Sequence, residues 1–291
     1  MTASCGARTE MRDAPAFDVV YLYDQTHLAR WHSATGAIDL FPTTRAPLFI
    51  TCTRDGRFMA ISDIAAAQFD VTDGNGSVLR SHMGIAEAIR PDGARVLMDN
   101  VDPHVVPQDN CIGTLDADGT YEDVSCKSSS SHELFIPLDY ANDGTIVLWL
   151  EGDTYDGWRT LGTADDQGGG WRPLVHMSAE PLDGARWSPD GKRFAFATHV
   201  PGLHVSRLSI VRMDTLEVET LVDDSHVIAS FGFTPDGRDI VFVAADIVDG
   251  WVVSAGAKMI VLGTRTIVPL AIPIDPFWAG PTCVTASADA R

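Results

Sequence analysis

Short apolar runs alternate with turn-forming clusters along almost the whole chain, and apolar and polar positions often alternate in steps of two within the runs. Examples are residues 193–198, Arg-Phe-Ala-Phe-Ala-Thr, and residues 239–243, Asp-Ile-Val-Phe-Val. A period of two is typical of β-strands, and the period of 3.6 that indicates helices is nearly absent. The pattern therefore predicts an all-β protein built from short strands.

One turn sequence recurs between pairs of these strands. Its clearest copies are Trp-Ser-Pro-Asp-Gly-Lys at 187–192 and Phe-Thr-Pro-Asp-Gly-Arg at 233–238. Proline presets the backbone of such a turn, aspartate bonds its own backbone, and glycine adopts the positive φ that a tight reversal needs. We call the last of these residues the marker glycine. The marker glycines are Gly56, Gly93, Gly144, Gly191 and Gly237.

The spacing of the marker glycines predicts the architecture. They lie 37, 51, 47 and 46 residues apart, and repeats of roughly 40 to 50 residues indicate the blades of a propeller. A degenerate sixth copy, Ser-Ala-Asp-Ala-Arg at 287–291, lacks its following strand, which is found instead at 17–23. We therefore expect a six-bladed β-propeller of four-stranded antiparallel blades at residues 17–291, preceded by a flexible tail at 1–16. The two terminal strands would share one blade, with closure between its first and second strands.

The Trp-Ser-Pro-Asp-Gly-Lys repeat resembles the repeats of TolB-like propellers, which are similar to the propeller domains of prolyl oligopeptidases and dipeptidyl peptidases. The resemblance covers nearly the whole chain and implies a β-propeller fold. Those peptidases also carry a hydrolase domain with a Gly-x-Ser-x-Gly motif. This sequence has neither the motif nor room for that domain, so the resemblance implies no peptidase activity, and function must be argued from a site.

Charge and hydropathy narrow the classes of partner. The chain has 291 residues, with 21 lysines and arginines against 40 aspartates and glutamates, for a formal net charge of -19. So large a negative charge repels nucleic acids and anionic membranes, and we expect neither as a partner. No stretch approaches the roughly 20 apolar residues of a membrane span. The first residues contain no apolar signal segment, so we expect a cytoplasmic location.

The first strand of each propeller blade lines the central channel, and alternate residues on it face either the channel or the neighbouring blades. The positions four and six residues before each marker glycine are mostly large and apolar, as packing between blades requires. The positions five and seven before it are smaller and more polar, and we expect them to face the channel. They include Thr51, Asp139, Arg186, Ser230 and, in the shared blade, Thr285 and Cys283.

Asp139 and Arg186 are the charged members of this set and come from adjacent blades at one level of the channel. They would either form a structural ion pair or hold a polar or anionic substrate. Thr51 and Ser230 are further candidate substrate contacts.

The same alternation can be counted back to the position eleven residues before each marker glycine. The residues at these positions predict a ring of ionisable side chains at the channel mouth. The ring consists of Arg45, His82, Glu133, Glu180 and His226, with Trp278 nearby as a substrate contact. The alternative is that these positions lie in exposed loops, where polar residues are the default. In that case the ionisable side chains at these positions would have no functional role.

Imidazoles and carboxylates that face one axis have the chemistry of an acid/base pair. In this interpretation His82 or His226 is the base, Glu133 or Glu180 the acid, and Arg45 orients a substrate oxyanion. The two histidines and two glutamates are also the residues that would hold a divalent metal, although no motif in the sequence requires a cofactor.

Two functions are compatible with these patterns. The first is an enzyme of the lyase, isomerase or cyclase type that acts on a small polar metabolite at the channel mouth. The second is a non-catalytic scaffold that binds a protein partner on an outer face, as the acidic surface favours.

Cys111 and Cys126 lie symmetrically about residues 118–119, so a tight turn there would place them opposite each other in a hairpin. In a reducing compartment we expect both as thiols.

Overall fold

The computed structural model describes residues 15–24, 26–43, 49–63, 66–99, 109–115, 121–128, 133–153, 158–167, 169–178, 182–199, 205–224, 227–248, 251–275 and 282–287. Within these ranges the chain forms β-strands joined by turns, and no helix is present. Accordingly, the described part of the chain offers no helix long and apolar enough to cross a membrane. Of the predicted tail at 1–16, only residues 15 and 16 lie inside the described ranges.

Five antiparallel sheets are each built from four consecutive strands. Their strands are β4 (Phe49–Cys52), β5 (Phe58–Asp63), β6 (Gln68–Asp73) and β7 (Val78–Met83); β8 (Ile85–Ile89), β9 (Arg95–Asp99), β10 (Asp109–Leu115) and β11 (Tyr121–Ser128); β12 (Glu133–Tyr140), β13 (Ile146–Asp153), β14 (Trp158–Asp165) and β15 (Arg172–Ser178); β16 (Leu182–Trp187), β17 (Arg193–His199), β18 (Ser206–Arg212) and β19 (Val218–Asp224); and β20 (Val227–Phe233), β21 (Asp239–Val248), β22 (Trp251–Val261) and β23 (Thr266–Pro269).

A further four-stranded sheet joins the two ends of the described chain. It contains β1 (Phe17–Leu22), β2 (His27–His32), β3 (Ile38–Pro42) and β24 (Cys283–Ala286), in the order β24-β1-β2-β3. Asp18 of β1 is paired with Thr285 of β24. The predicted closure between the first and second strands of a shared blade is therefore confirmed. It gives β1 a partner on the side that would otherwise be an open sheet edge.

The sheets are arranged as the blades of a propeller around their innermost strands. The innermost strands are β4, β8, β12, β16, β20 and β24, and each contacts the innermost strand of the next sheet, with β24 returning to β4. The large side chains four and six residues before the markers fill the spaces between sheets. Ile50, Trp187 and Phe233 are among those that are buried. Phe196 and Leu148, for example, belong to one cluster that joins two neighbouring sheets.

The marker glycines have the backbone conformation that the repeat predicts. All five have φ between 66° and 76°. In the clearest copy the amide of Gly191 donates to the carbonyl oxygen of Ser188 at 3.0 Å, and the Asp190 carboxylate accepts from the amide of Lys192 at 3.1 Å. The same bonds recur around Gly237. Local turn chemistry therefore explains why the chain reverses at these places.

Several innermost strands carry a β-bulge where they pair with the second strand of their sheet. The register shifts between Ala86 and Ala88 in β8, between Pro137 and Asp139 in β12, and at corresponding places in β16 and β20. An extra residue in one strand interrupts the two-residue alternation of side chains. Counting residues by twos therefore does not show which way a side chain faces on the far side of a bulge.

The hairpin of β10 and β11 has the register expected from its cysteines. Cys111 and Cys126 are direct cross-strand partners. Their predicted placement is confirmed, and their predicted state as thiols stays a prediction.

Candidate functional site

The innermost strands meet around a narrow channel, and its polar side chains form the candidate site. A cavity of about 50 Å³ is bordered by Thr51, Asp139 and Arg186, and also by Cys52 and Cys283. Thr51, Asp139, Arg186 and Cys283 were predicted to face the channel. Cys52, from the set predicted to pack between blades, also borders the cavity. A space of this size accommodates a few water molecules.

Asp139 lies at the bulge of β12 and holds two neighbouring sheets together. One carboxylate oxygen accepts the amide of Tyr140 at 2.9 Å, and the other accepts the amide of Trp187, on the adjacent sheet, at 2.7 Å. Burial raises the pKa of this carboxyl, and the charges of Arg54 and Arg186 oppose the rise. Because both oxygens already accept hydrogen bonds from the backbone, the geometry favours a brace over a proton carrier.

Arg54 is the channel residue that the sequence analysis missed. Its Nη2 donates to the carbonyl oxygen of Trp187 at 2.9 Å and lies 3.9 Å from Oδ2 of Asp139. It also reaches the carbonyl oxygen of Tyr140 at 3.5 Å, so one side chain from the turn after β4 crosses the channel to two other sheets. Burial lowers the pKa of Arg54, and Asp139 partly offsets this. The Nη1 atom is buried and has no hydrogen-bond partner among the described residues.

A signal for Arg54 existed in the repeat. The position two residues before the marker glycine is proline at Pro91, Pro189 and Pro235, whereas the first copy has Arg54 there. A cation in place of the turn-forming proline indicates a role outside the turn. The sequence alone did not show that the side chain points to the axis.

The ion pair that was one of the two expectations for Asp139 and Arg186 is not formed in the described structure. Nη1 of Arg186 donates instead to the carbonyl oxygens of Leu138 at 3.0 Å and Ala185 at 2.9 Å, and the ion-pair partner of Asp139 is Arg54. Arg186 nevertheless lines the same cavity. It joins its own strand to the adjacent β12, and its role as a substrate contact stays a prediction.

Two thiols also border the cavity. Cys52 lies on β4 and Cys283 on β24, so they come from the two innermost strands that meet where the ring closes. Burial raises the pKa of the Cys52 thiol, and a hydrogen bond with Cys283 raises it further. A thiol held in the neutral form is a weak nucleophile.

The prediction that His82 lies in the ring at the channel mouth is wrong. His82 lies on β7, the outermost strand of its sheet, and its Nδ1 lies 2.6 Å from the carbonyl oxygen of Met83. Its ring packs on Phe69, with the ring centroids 5.9 Å apart. Strand β8 begins only at Ile85, so counting eleven residues back from Gly93 passes the end of the strand into the preceding sheet.

Glu133 begins β12, an innermost strand, and its place in the ring at the channel mouth stays a prediction. Arg45, Glu180, His226 and Trp278 lie outside the described residues. Ser230 lies on β20, and its hydroxyl is 2.7 Å from that of Thr282, which borders the channel cavity. Across the described ranges, no group of three or more His, Cys, Asp or Glu side chains is placed to hold a metal ion.

Comparison with known proteins supports the fold. No protein-family model matches the chain, and no curated protein matches it significantly. Among solved structures it is similar to a putative TolB from Agrobacterium tumefaciens, with 14% identity, a TM-score of 0.64, and coverage of 93% of this chain and 98% of that one. The protein has a TolB-like β-propeller fold.

Two other solved propellers illustrate how widely this fold is used. A chain of a nidogen/laminin complex has 10% identity and a TM-score of 0.61, with coverage of 93% of this chain and 98% of that one. An oligogalacturonate lyase in complex with manganese has 12% identity and a TM-score of 0.53, with coverage of 83% and 69%. One of these propellers belongs to a protein complex and the other is an enzyme. At such identities these similarities establish architecture alone.

Proposed function

We propose that this protein is a non-catalytic propeller that binds a protein partner on its outer surface. The observation that carries the proposal is Arg54, whose side chain crosses the channel and hydrogen-bonds to backbone carbonyls of two other sheets. The axis of the ring is occupied by a structural brace. Binding is therefore expected on the outside of the ring.

The size of the channel cavity supports this proposal. Pockets for small organic ligands typically enclose about 300 to 1,000 Å³, whereas the channel cavity has about 50 Å³. The charged side chains that line it, Arg54, Asp139 and Arg186, already bind backbone groups. A metabolite would have to break these bonds in order to enter.

The outermost strands offer a surface for a partner. Leu40 on β3 and Leu79 on β7 are 52% and 46% exposed. The two strands belong to neighbouring sheets that touch, because Arg30 donates to the carbonyl oxygen of Gly74 and the Phe41 ring packs against Gly76. Exposed apolar side chains on adjacent elements are typical of interaction surfaces. The net charge of -19 favours a partner with a basic rim around that contact.

A site-specific crosslinking experiment tests this proposal. A photo-crosslinking amino acid would be placed at 40, at 79, or at the control position 267, where Ile267 is 43% exposed on the outermost strand of another sheet. In extract from the source cells, we expect positions 40 and 79 to label one and the same protein, and position 267 not to. The Leu40→Glu/Leu79→Glu double variant should lose that complex while keeping its unfolding midpoint. Equal labelling from position 267, or a complex that survives the double substitution, would refute the proposal.

We further propose that the propeller has six blades. The proposal counts the sheet shared by β24 and β1 to β3 as a blade, in addition to the five sheets of consecutive strands. The contact of β24 with both β20 and β4 supports this count, since a closing blade must touch both of its neighbours.

Acid/base catalysis on a small metabolite is the second candidate function. The observation in its favour is that Glu133 begins an innermost strand, where a channel-mouth carboxylate was predicted. Elemental analysis of the purified protein would test the metal-assisted form of this chemistry. A Glu133→Gln/His226→Ala variant that matches the wild type in every assayed lyase, isomerase and cyclase reaction would argue against it.

A further inference from the structure

A cavity of about 470 Å³ opens between the sheet β16 to β19 and the sheet β20 to β23. Arg193, Arg212, Arg238 and Arg265 line it, together with Glu219 and Asp239. The floor is apolar and includes the buried side chains of Ile210 and Leu262. The volume lies within the usual range for a small-molecule site, which the central channel does not reach.

The lining concentrates positive charge in an acidic protein. The lining itself holds four arginines and two carboxylate residues, whereas the whole chain carries a formal net charge of -19. Outside the lining, Asp190 lies 4.0 Å from Arg193 and Asp236 lies 3.8 Å from Arg238. Arginine stays protonated in proteins, so this charge is permanent. A local excess of fixed cations inside an acidic surface attracts anions to one place.

Two of these arginines carry like charges at directly opposed positions. Arg193 and Arg212 are direct cross-strand partners on β17 and β18. Like charges directly opposite each other in an antiparallel pair are destabilising. Arg193 pairs with Asp190, whereas Arg212 is exposed and, within the described residues, forms no side-chain hydrogen bond or ion pair. An anion bound between the two guanidinium groups would remove this repulsion.

The other contacts hold the arginines in place without using up their donors. Nη2 of Arg193 donates to the carbonyl oxygen of Gly237 at 2.8 Å, and Nη2 of Arg265 bonds Oε1 of Glu219 at 2.5 Å, across the boundary between the sheets. Arg265 has a φ of 62°. A residue without a glycine's freedom adopts this conformation at a cost, which fits a side chain that is held in a required position. Each guanidinium has five N–H donors, and these contacts engage one nitrogen of each.

We propose that this cavity is a binding site for a small organic polyanion that carries two or more carboxylate or phosphate groups. The guanidinium groups of Arg193 and Arg212 bind one anionic group between them, and Arg238 and Arg265 bind another at the sheet boundary. Arginine suits both oxyanions because its fork of donors matches two oxygens at once. The apolar floor contacts the carbon skeleton. This site is independent of the proposed partner surface on β3 and β7.

Isothermal titration calorimetry with citrate and, separately, with inorganic pyrophosphate tests the site, with sodium chloride added to match ionic strength. We expect saturable binding of at least one of the two anions at a single site. Binding of citrate alone identifies the carboxylate class, and binding of pyrophosphate alone identifies the phosphate class. Arg212→Ala should weaken that binding about tenfold or more, as expected for loss of a charge-assisted hydrogen bond. Arg265→Gln, which keeps a polar side chain, should also weaken it.

The matched control is Arg57→Ala. Arg57 and Arg238 both follow a marker glycine directly, but Arg57 lies at another sheet boundary. We expect Arg57→Ala to bind like the wild type and Arg238→Ala to bind more weakly. Urea unfolding would confirm that each variant is folded, and Arg212→Gln replaces Arg212→Ala if the latter is not. The proposal is overturned if neither anion shows saturable binding at millimolar concentration. It is also overturned if binding is unchanged in the Arg212 and Arg265 variants, or if Arg57→Ala weakens binding equally.

Discussion

Nη2 of Arg54 donates a hydrogen bond of 2.9 Å to the carbonyl oxygen of Trp187, a residue 133 positions later in the sequence. The same nitrogen faces the carboxylate of Asp139 at 3.9 Å. Three sheets of the ring are therefore tied by one side chain at the axis. This arrangement makes Arg54 a test of how the ring is held together.

Arg54→Ala is expected to destabilise the fold by about 3 kcal/mol, because it leaves the mostly buried carboxylate of Asp139 without its ion-pair partner. Urea unfolding measures the free energy change. The control is Arg57→Ala, since Arg57 is half-exposed and is expected to change stability by no more than about 0.5 kcal/mol. Equal, small effects of both substitutions would show that the crossing of the channel contributes nothing to stability.

His32 predicts a pH dependence of stability. Its Nδ1 lies 3.0 Å from Oδ1 of Asp18, and its Nε2 lies 3.0 Å from Oδ2 of Asp39. Burial alone lowers the pKa of His32, but the hydrogen bonds with Asp39 and Asp18 and their charges outweigh it, so the pKa is raised. A raised folded-state pKa means that the stabilisation is fully present below the unfolded value of about 6.5 and is lost as pH rises through the folded value.

The measurement is the urea midpoint of the wild type and of His32→Gln at several pH values from 5 to 9. The difference between the two proteins should be largest at pH 5 and should shrink as pH rises. A difference that grows toward pH 9 would mean that the neutral imidazole is the stabilising form.

Gly191→Ala isolates the backbone requirement of the repeated turn. Gly191 has φ of 66°, and an added Cβ would meet nothing within 4 Å, so the substitution changes conformation without a clash. We expect a loss of about 1 to 2 kcal/mol. Gly93→Ala should cost more, because its Cβ would come within 2.7 Å of the Phe58 ring. Gly256→Ala is the control, since Gly256 also has open space and no positive φ. Comparable effects of Gly191→Ala and Gly256→Ala in thermal unfolding would contradict this account.

Cys52 should react slowly with iodoacetamide in the folded protein. Burial and the hydrogen bond with Cys283 keep it in the thiol form, and the thiolate is the reactive species. In a variant that carries serine at Cys5, Cys111 and Cys126, alkylation should be far slower in buffer than in urea and should speed up as pH rises above 9. Rapid alkylation at pH 7 without denaturant would show an accessible thiolate.

Much of the fold could be predicted because its signals are local. The positive φ of Gly191 and the bond from Lys192 to Asp190 depend on a few neighbouring residues, so the sequence of the turn is enough to expect them. The pairing of Asp18 with Thr285 could also be predicted, because an incomplete repeat at one end of the chain requires its missing strand from the other end. Of the candidate site, the channel positions of Thr51, Asp139 and Arg186 were predicted correctly.

The contacts that decide the candidate site are not local, and sequence could not predict them. His82 was expected at the channel mouth and lies on an outer strand, because counting by twos fails where a strand ends or a bulge inserts a residue. By itself, then, the sequence determined the strands, the turns and the closure of the ring, since each follows from the chemistry of neighbouring residues or from the repeat. Only the tertiary structure decided that Arg54 crosses the axis and that four arginines surround one cavity. Residues far apart in the chain meet there through the curvature of the ring, and no pattern along the sequence encodes their distances.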